Sequence, residues 1–185
     1  MIYTLESIRK RYNEGEKLSF LFFWGHKPNA DGSIGNGCFS QWWPCSFMVD
    51  GILYNCAEQY MMAEKARAFS GNEALLHDKI MKETNPKEHK KYGRMVKNYD
   101  DAIWDAMRKD VVLRGNIAKF SQNENLKAYL LSTGDKILVE ASPYDDIWGI
   151  KMRKEDAGVN NPNNWKGTNL LGCVLTQVKD ILREA

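Results

Sequence analysis

The stretch CSFMVDGILYNCAEQYMMAEKARAF, residues 45–69, decides the fold. Asp50-Gly51 stands between two apolar runs, and this pair tolerates the positive φ angles of a two-residue hairpin turn. Residues 45–49 and 52–55 are therefore expected to pair antiparallel. A helix should follow at once, because Asn55 suits an N-cap and Glu58, three residues later, suits the reciprocal position of a capping box. This helix should run to about Phe69 and bury Ala57, Tyr60, Met61 and Ala68.

On the N-terminal side, residues 3–14 read as a surface helix. SFLFFW (19–24) is uninterrupted and aromatic, the mark of a buried strand. GHKPNADGSIGNG (25–37) is rich in Gly, Asn and Asp and reads as a loop. On the C-terminal side, a helix over about 72–83 should stop before Asn85-Pro86, and a short one should cover about 86–93. Residues 100–119 read as a long helix with a possible break at Gly115. Ser121 and Glu124 are spaced as a capping box for another helix. KILVEAS (136–142) reads as a strand and WGI (148–150) as a second, short one. Residues 154–168 form a polar loop with an Asn-Pro turn, and 169–184 form the last helix. Helices outnumber strands and do not alternate with them. The expected class is α+β: a mostly helical single domain spanning 1–185 with a small antiparallel sheet, not a doubly wound one.

The chain of 185 residues is 43% hydrophobic and 27% charged, enough to fill a core. A formal net charge of +2 is too small to argue for nucleic-acid binding by itself, although Lys and Arg cluster between Lys79 and Arg114. No segment has the apolar length of a membrane span. The N-terminus, MIYTLESIRKRYNEGEK, lacks the apolar core and cleavage site of a secretory signal, so a cytoplasmic location is expected. Cys38, Cys45, Cys56 and Cys173 show no CxxC pair and no metal-ligand spacing with His26, His77 or His89. Buried reduced thiols are the expectation.

Four segments, in order, carry a resemblance. They are FSQWWPCSFMVDGILYNCAEQYMMAEKA (39–66), Trp104 and Met107 with Ala118 to Phe120, LLSTGDKILVEASPYDDIWGI (130–150), and GTNLLGCVLTQVKDIL (167–182). Together they resemble the NADAR family, also called the YbiA-like fold, over about residues 18–184. The resemblance implies an α+β N-glycosidase that hydrolyses the bond between a base nitrogen and a phosphorylated ribose. Some members of that family act on phosphoribosylamino-pyrimidine intermediates of riboflavin synthesis, and others remove ADP-ribose from guanine in DNA. The chain departs from the pattern at three places. Ser40-Gln41-Trp42 replaces Ser-Asn-Phe, Glu58-Gln59-Tyr60 replaces Glu-His-Tyr, and Trp148-Gly149-Ile150-Lys151 replaces Trp-Gly-x-Gly. Lys151 adds a cation, which leans slightly toward a substrate with more phosphate.

Breaking an N-glycosidic bond builds positive charge on the ribose, and the departing base needs a proton or hydrogen bonds. Glu58, Glu140, Asp145 and Asp146 are the candidate carboxylates. Without the resemblance, Glu58 reads first as a capping residue. With it, Glu58 becomes a catalytic candidate whose ionised form the helix dipole would favour. Lys65, seven residues on, shares its helix face and could donate a proton or attack a ring-opened sugar as a Schiff base. Lys119 is a second candidate lysine, or simply the end of a helix. Glu140 reads either as catalytic or as half of a structural ion pair. Asp146, the better placed of its pair relative to Trp148, could bind ribose hydroxyls.

Trp104 and Trp148 could stack on a base, with core packing as the competing reading. Ser40, Gln41, Tyr60 and Gly149 join the ligand-binding set through the family motifs. Asn169 could cap the last helix or hold a phosphate at its N-terminus, and Arg94 and Lys97 are further phosphate candidates. No cofactor is implied, because no strand runs into a GxGxxG helix, and no metal is implied. The expected partner is a small phosphoribosyl or ADP-ribosyl substrate, or ADP-ribosylated DNA. The competing class is a non-catalytic module that binds ADP-ribose or a related NAD metabolite.

Overall fold

The computed structural model describes residues 3–185. The chain folds as two compact units, one of Gln41–Glu124 and the other of the segments before and after it.

The flanking segments build the first unit. Helix α1 (Leu5–Asn13) opens with a full capping box in which Thr4 and Ser7 exchange side-chain and backbone hydrogen bonds. Its Arg9 donates to the carbonyls of Pro162 and Trp165, fixing the 3₁₀ turn Pro162–Asn164. Strand β1 (Phe20–Phe23) is half-buried except for Phe23, less enclosed than its apolar sequence suggests. It pairs parallel with β4 (Ile137–Glu140) in the register Phe20 to Ile137 through Phe23 to Glu140. A parallel ladder therefore joins the antiparallel pairing that the sequence points to. Helix α5 (Glu124–Ser132) leads into β4, and α6 (Leu170–Glu184) packs on it. Ile137, Val139, Ile150, Trp165 and Cys173 close the core with Leu5 and Ile8 of α1.

The second unit opens with the expected hairpin. Strands β2 (Phe47–Val49) and β3 (Ile52–Tyr54) pair antiparallel with Met48 opposite Leu53. Asp50 (φ 50°) and Gly51 (φ 76°) make the turn in the left-handed region, which only a few residue types tolerate. Helix α2 (Ala57–Ala68) packs on α3 (Pro86–Gly93) and α4 (Asp101–Ser121). Its buried residues include Ala57, Tyr60 and Met61 as expected, whereas Ala68 is only half-buried. The helical stretch before α3 is irregular, a π segment at Leu75–Lys79 followed by a 3₁₀ segment at Ile80–Lys82.

Four local expectations are corrected. Helix α4 runs unbroken through Gly115, where a Cβ would lie 2.4 Å from a ring carbon of Tyr60, so the glycine admits the ring. Ser121 closes α4, its hydroxyl donating to Ala118, and does not begin the next helix. Residues 148–150 form no strand, although the Ile150 N–H donates to Glu140. The N-cap of α2 is Cys56, one residue later than the Asn55 reading.

His89 on α3 is fully buried, and neither ring nitrogen has a hydrogen-bond partner. Burial holds its pKa down, at about 4 against an ordinary 6.5, so the folded protein keeps the ring neutral. The unfolded chain takes up this proton below about pH 6.5 and the folded one does not until about pH 4. Stability should therefore fall as pH drops through that window, by about 3 kcal/mol. Urea titrations from pH 7 to pH 4 should show this fall, and His89→Leu should flatten it.

Candidate active site

The start of α2 places the first candidate. The Cys56 sulfur accepts from the Gln59 N–H at 3.4 Å, and the Gln59 side chain accepts from the Asn55 N–H at 2.8 Å. Gln59, not Glu58, stands three residues after the cap, and its side chain reaches back to the residue before that cap. Its amide also donates to the Ile80 carbonyl at 3.0 Å, tying the helix start to the irregular segment. Asn55, the expected cap, sends its side chain to Glu83 instead. Glu58 is the second residue of α2. It is 4% exposed, and its N–H donates to the Gln41 carbonyl at 2.9 Å. The Gln41 side chain is held in turn by Asn116 of α4 at 2.8 Å.

Two turns along α2 lies Lys65. Its ammonium sits 4.1 Å from the Tyr99 ring centre and 5.8 Å from that of Trp104, a cation–π arrangement. Burial lowers the Lys65 pKa from its ordinary value; Asp101 and Glu58 oppose that shift, and Arg94 adds to it. The field of Glu58 thus reaches Lys65, as their shared helix face suggests. Trp104 is buried and frames the lysine. Tyr99 was not singled out in the sequence, where it is one more aromatic residue before a helix; only the folded geometry sets it over the lysine. Its hydroxyl donates to Asp101, and burial with that carboxylate pushes its pKa up to about 12.

Four other candidates of this unit lie in different surroundings. Tyr60 belongs to the core, edge-on to Tyr54 at 5.1 Å and 1% exposed, with its hydroxyl pushed up to about 12 by burial. Lys119 is wholly buried, 5.0 Å from the Phe120 ring centre. Arg94 and Lys97 are exposed.

In the other unit, β4 ends at Glu140, which is half-buried. The 143–151 loop is shaped by Asp145, whose carboxylate accepts from the N–H groups of Ile147 (2.9 Å) and Trp148 (2.7 Å). Asp146 is exposed and paired with Lys151 at 3.0 Å, an ion pair that lowers the Asp146 pKa. Trp148 is half-buried. Gly149 is buried where a Cβ would lie 2.9 Å from the Glu140 carbonyl, so the loop closes on the strand end only with glycine there. Ser40 is half-buried at the end of the 3₁₀ turn Asn36–Phe39. Asn169 caps nothing with its side chain and is fully buried. It accepts from the Glu140 N–H at 2.9 Å and donates to the Leu138 carbonyl at 3.0 Å, a brace for β4.

None of the four cysteines forms a disulfide, and Cys45 alone is half-buried. Among the described residues no cluster has the makeup of a metal site, and no helix is long and apolar enough to cross a membrane.

Glu58 and Lys65, of lowered basicity, thus stand two turns apart on one helix, with Tyr99 and Trp104 beside the lysine. The NADAR domain model matches residues 22–183, and the chain belongs to that family. It is 44% identical over 172 residues to an N-glycosidase of Acanthamoeba polyphaga mimivirus, covering 89% of this chain and 97% of the relative. It is 28% identical over 149 residues to a riboflavin biosynthesis protein of Vibrio vulnificus, covering 80% of this chain and 36% of that one. Among solved structures it is similar to the NMR structure of the E. coli protein YbiA, with a TM-score of 0.70, 25% identity, and coverage of 90% of this chain and 86% of that one.

Proposed function

We propose that this N-glycosidase hydrolyses the bond between a base nitrogen and the anomeric carbon of a phosphorylated ribose, with Glu58 and Lys65 as the reacting pair. The N-glycosidase class rests on the family and on the names of its relatives. The assignment of residues is supported by one observation: Glu58 is buried at the start of α2, on the helix face that carries the desolvated Lys65. In the proposed step, the C1′–N bond breaks and its electron pair passes to the base nitrogen, which takes a proton from the Lys65 ammonium. Water adds to C1′ and Glu58 accepts the proton that it loses. Trp104 and Tyr99 keep the lysine poorly solvated, which makes it a stronger acid. A second route, in which neutral Lys65 forms an imine with the opened sugar, is favoured by the same lowered pKa.

Glu140, Asp146, Trp148, Gly149, Ser40 and Gln41 are proposed as the substrate-contacting set, and the chain as one NADAR domain located in the cytoplasm. Lys151 is already paired with Asp146, which weakens the lean toward a diphosphate. Within the class, the proposed substrate is a phosphoribosylamino-pyrimidine, in keeping with the relative named for riboflavin biosynthesis. ADP-ribosylated guanine in DNA is the alternative. Incubation with each substrate, followed by mass spectrometry, should release ribose 5-phosphate from the first. Release of ADP-ribose from DNA with no reaction on the pyrimidine would reverse the choice. Tight ADP-ribose binding without turnover of either would favour a binding module.

A further inference from the structure

A cavity of about 270 Å³ opens in the first unit, lined by Phe22, Phe23, Trp24, Asn36, Ala141 and Arg153 with Lys154 and Glu155. Phe23 and Glu140 end the parallel strands β1 and β4, and Trp24 and Ala141 come next in the chain. The cavity thus lies at the carboxyl ends of two parallel strands, where α/β topologies present ligands. Trp24, 58% exposed, leans toward Tyr144, 77% exposed, with ring centres 6.2 Å apart. Large aromatic rings left in water beside a cavity are unusual and suit a planar ligand.

The cations come from a braced turn. The Arg153 N–H donates to the Asp156 carboxylate at 2.9 Å, and the Asp156 N–H returns to the Arg153 carbonyl at 3.1 Å. Lys154 is partly neutralised by Glu155 at 3.8 Å, an exposed pair. Arg153 makes no ion pair among the described residues within 4 Å, and its guanidinium suits a phosphate.

We propose that this cavity binds the phosphoribosyl end of a pyrimidine mononucleotide, with Arg153 holding the phosphate, Lys154 assisting, and Trp24 covering the flat ring. This deepens the substrate reading above and rests on it for the ligand class. A volume near 270 Å³ falls just under the range of about 300–1,000 Å³ for drug-sized ligands, which fits one phosphoribosyl unit better than the two of ADP-ribose.

Calorimetry on the full chain should compare cytidine 5′-monophosphate, cytidine, inorganic phosphate and ADP-ribose. The monophosphate should bind about ten-fold more tightly than cytidine, and Arg153→Ala should erase most of that difference. Trp24→Ala should weaken cytidine and its monophosphate alike, and Glu155→Gln should tighten the monophosphate alone. Unchanged monophosphate binding in Arg153→Ala and Lys154→Ala would overturn the site. ADP-ribose binding about ten-fold tighter than the monophosphate would overturn its assignment to a single unit. Wild-type turnover separates the two readings. Binding kept with no turnover of any substrate leaves this site standing and removes the reaction. Turnover with monophosphate binding unchanged in Arg153→Ala removes the site and leaves the reaction.

Discussion

Glu58→Gln is expected to lower kcat by about a hundred-fold or more, the usual scale for removing a positioned acid–base group. The substitution keeps the shape of the side chain. Helix α2 should form as before, because its cap is Cys56 with Gln59 and the Glu58 link to Gln41 runs through the backbone N–H. Circular dichroism and the urea midpoint should therefore stay close to wild type while turnover collapses. Retained turnover would take Glu58 out of the mechanism. Lys65 supplies the companion measurement, and its sign separates the two routes. As a proton donor, Lys65 acts in its charged form, so the rate falls as pH rises through its lowered pKa. As an imine-forming amine it acts in its neutral form, so the rate rises over the same span. Borohydride added during turnover should then trap a covalent adduct only in the second case, and Lys65→Ala should lose it.

Asn169→Ala is expected to cost about 3–5 kcal/mol, because it strips partners from a buried N–H and a buried carbonyl of β4 at once, at about 1–3 kcal/mol each. The left-handed backbone at this position, φ 55°, adds strain for alanine that asparagine bears more easily. In a chain of this size each kcal/mol moves the Tm by about 2–4 °C, so the midpoint should drop by roughly 10 °C. Asn169→Gly relieves the backbone strain and should recover only the smaller part of the loss. A loss under about 1 kcal/mol for alanine would mean that the two hydrogen bonds are replaced by solvent.

What the sequence makes legible follows the range of the interactions. The hairpin at Asp50-Gly51 could be read because two adjacent residues must take positive φ, a purely local demand. Helix extents could be read from apolar spacing and from Asn85-Pro86. The cap of α2 slipped by one residue because sulfur is a weak acceptor and rarely chosen, while Asn55 looked the better cap and instead serves Glu83. The parallel pairing of β1 with β4 has no local signature, since the strand pattern is satisfied by any partner. Tyr60 and Asn169 carried family motifs that the fold uses for packing and bracing. Glu58 and Lys65 were visible together because seven residues make two helical turns. Tyr99, Trp24 and Arg153 were not, because only tertiary geometry sets them beside a lysine or a cavity.

The ladder between Phe20 and Ile137 also constrains how the protein comes to be made. More than a hundred residues must leave the ribosome after β1 before its partner strand exists. Closing so long a loop is a slow event compared with forming a hairpin or a helix. During that interval the sequence FLFF has an unsatisfied edge, with aromatic side chains and no charge to discourage pairing with another nascent chain. The continuous segment Gln41–Glu124 has no such wait, since its strands are neighbours in the chain. Synthesis rate and chaperone supply should therefore govern the yield of this protein through β1, the strand that is made early and paired late.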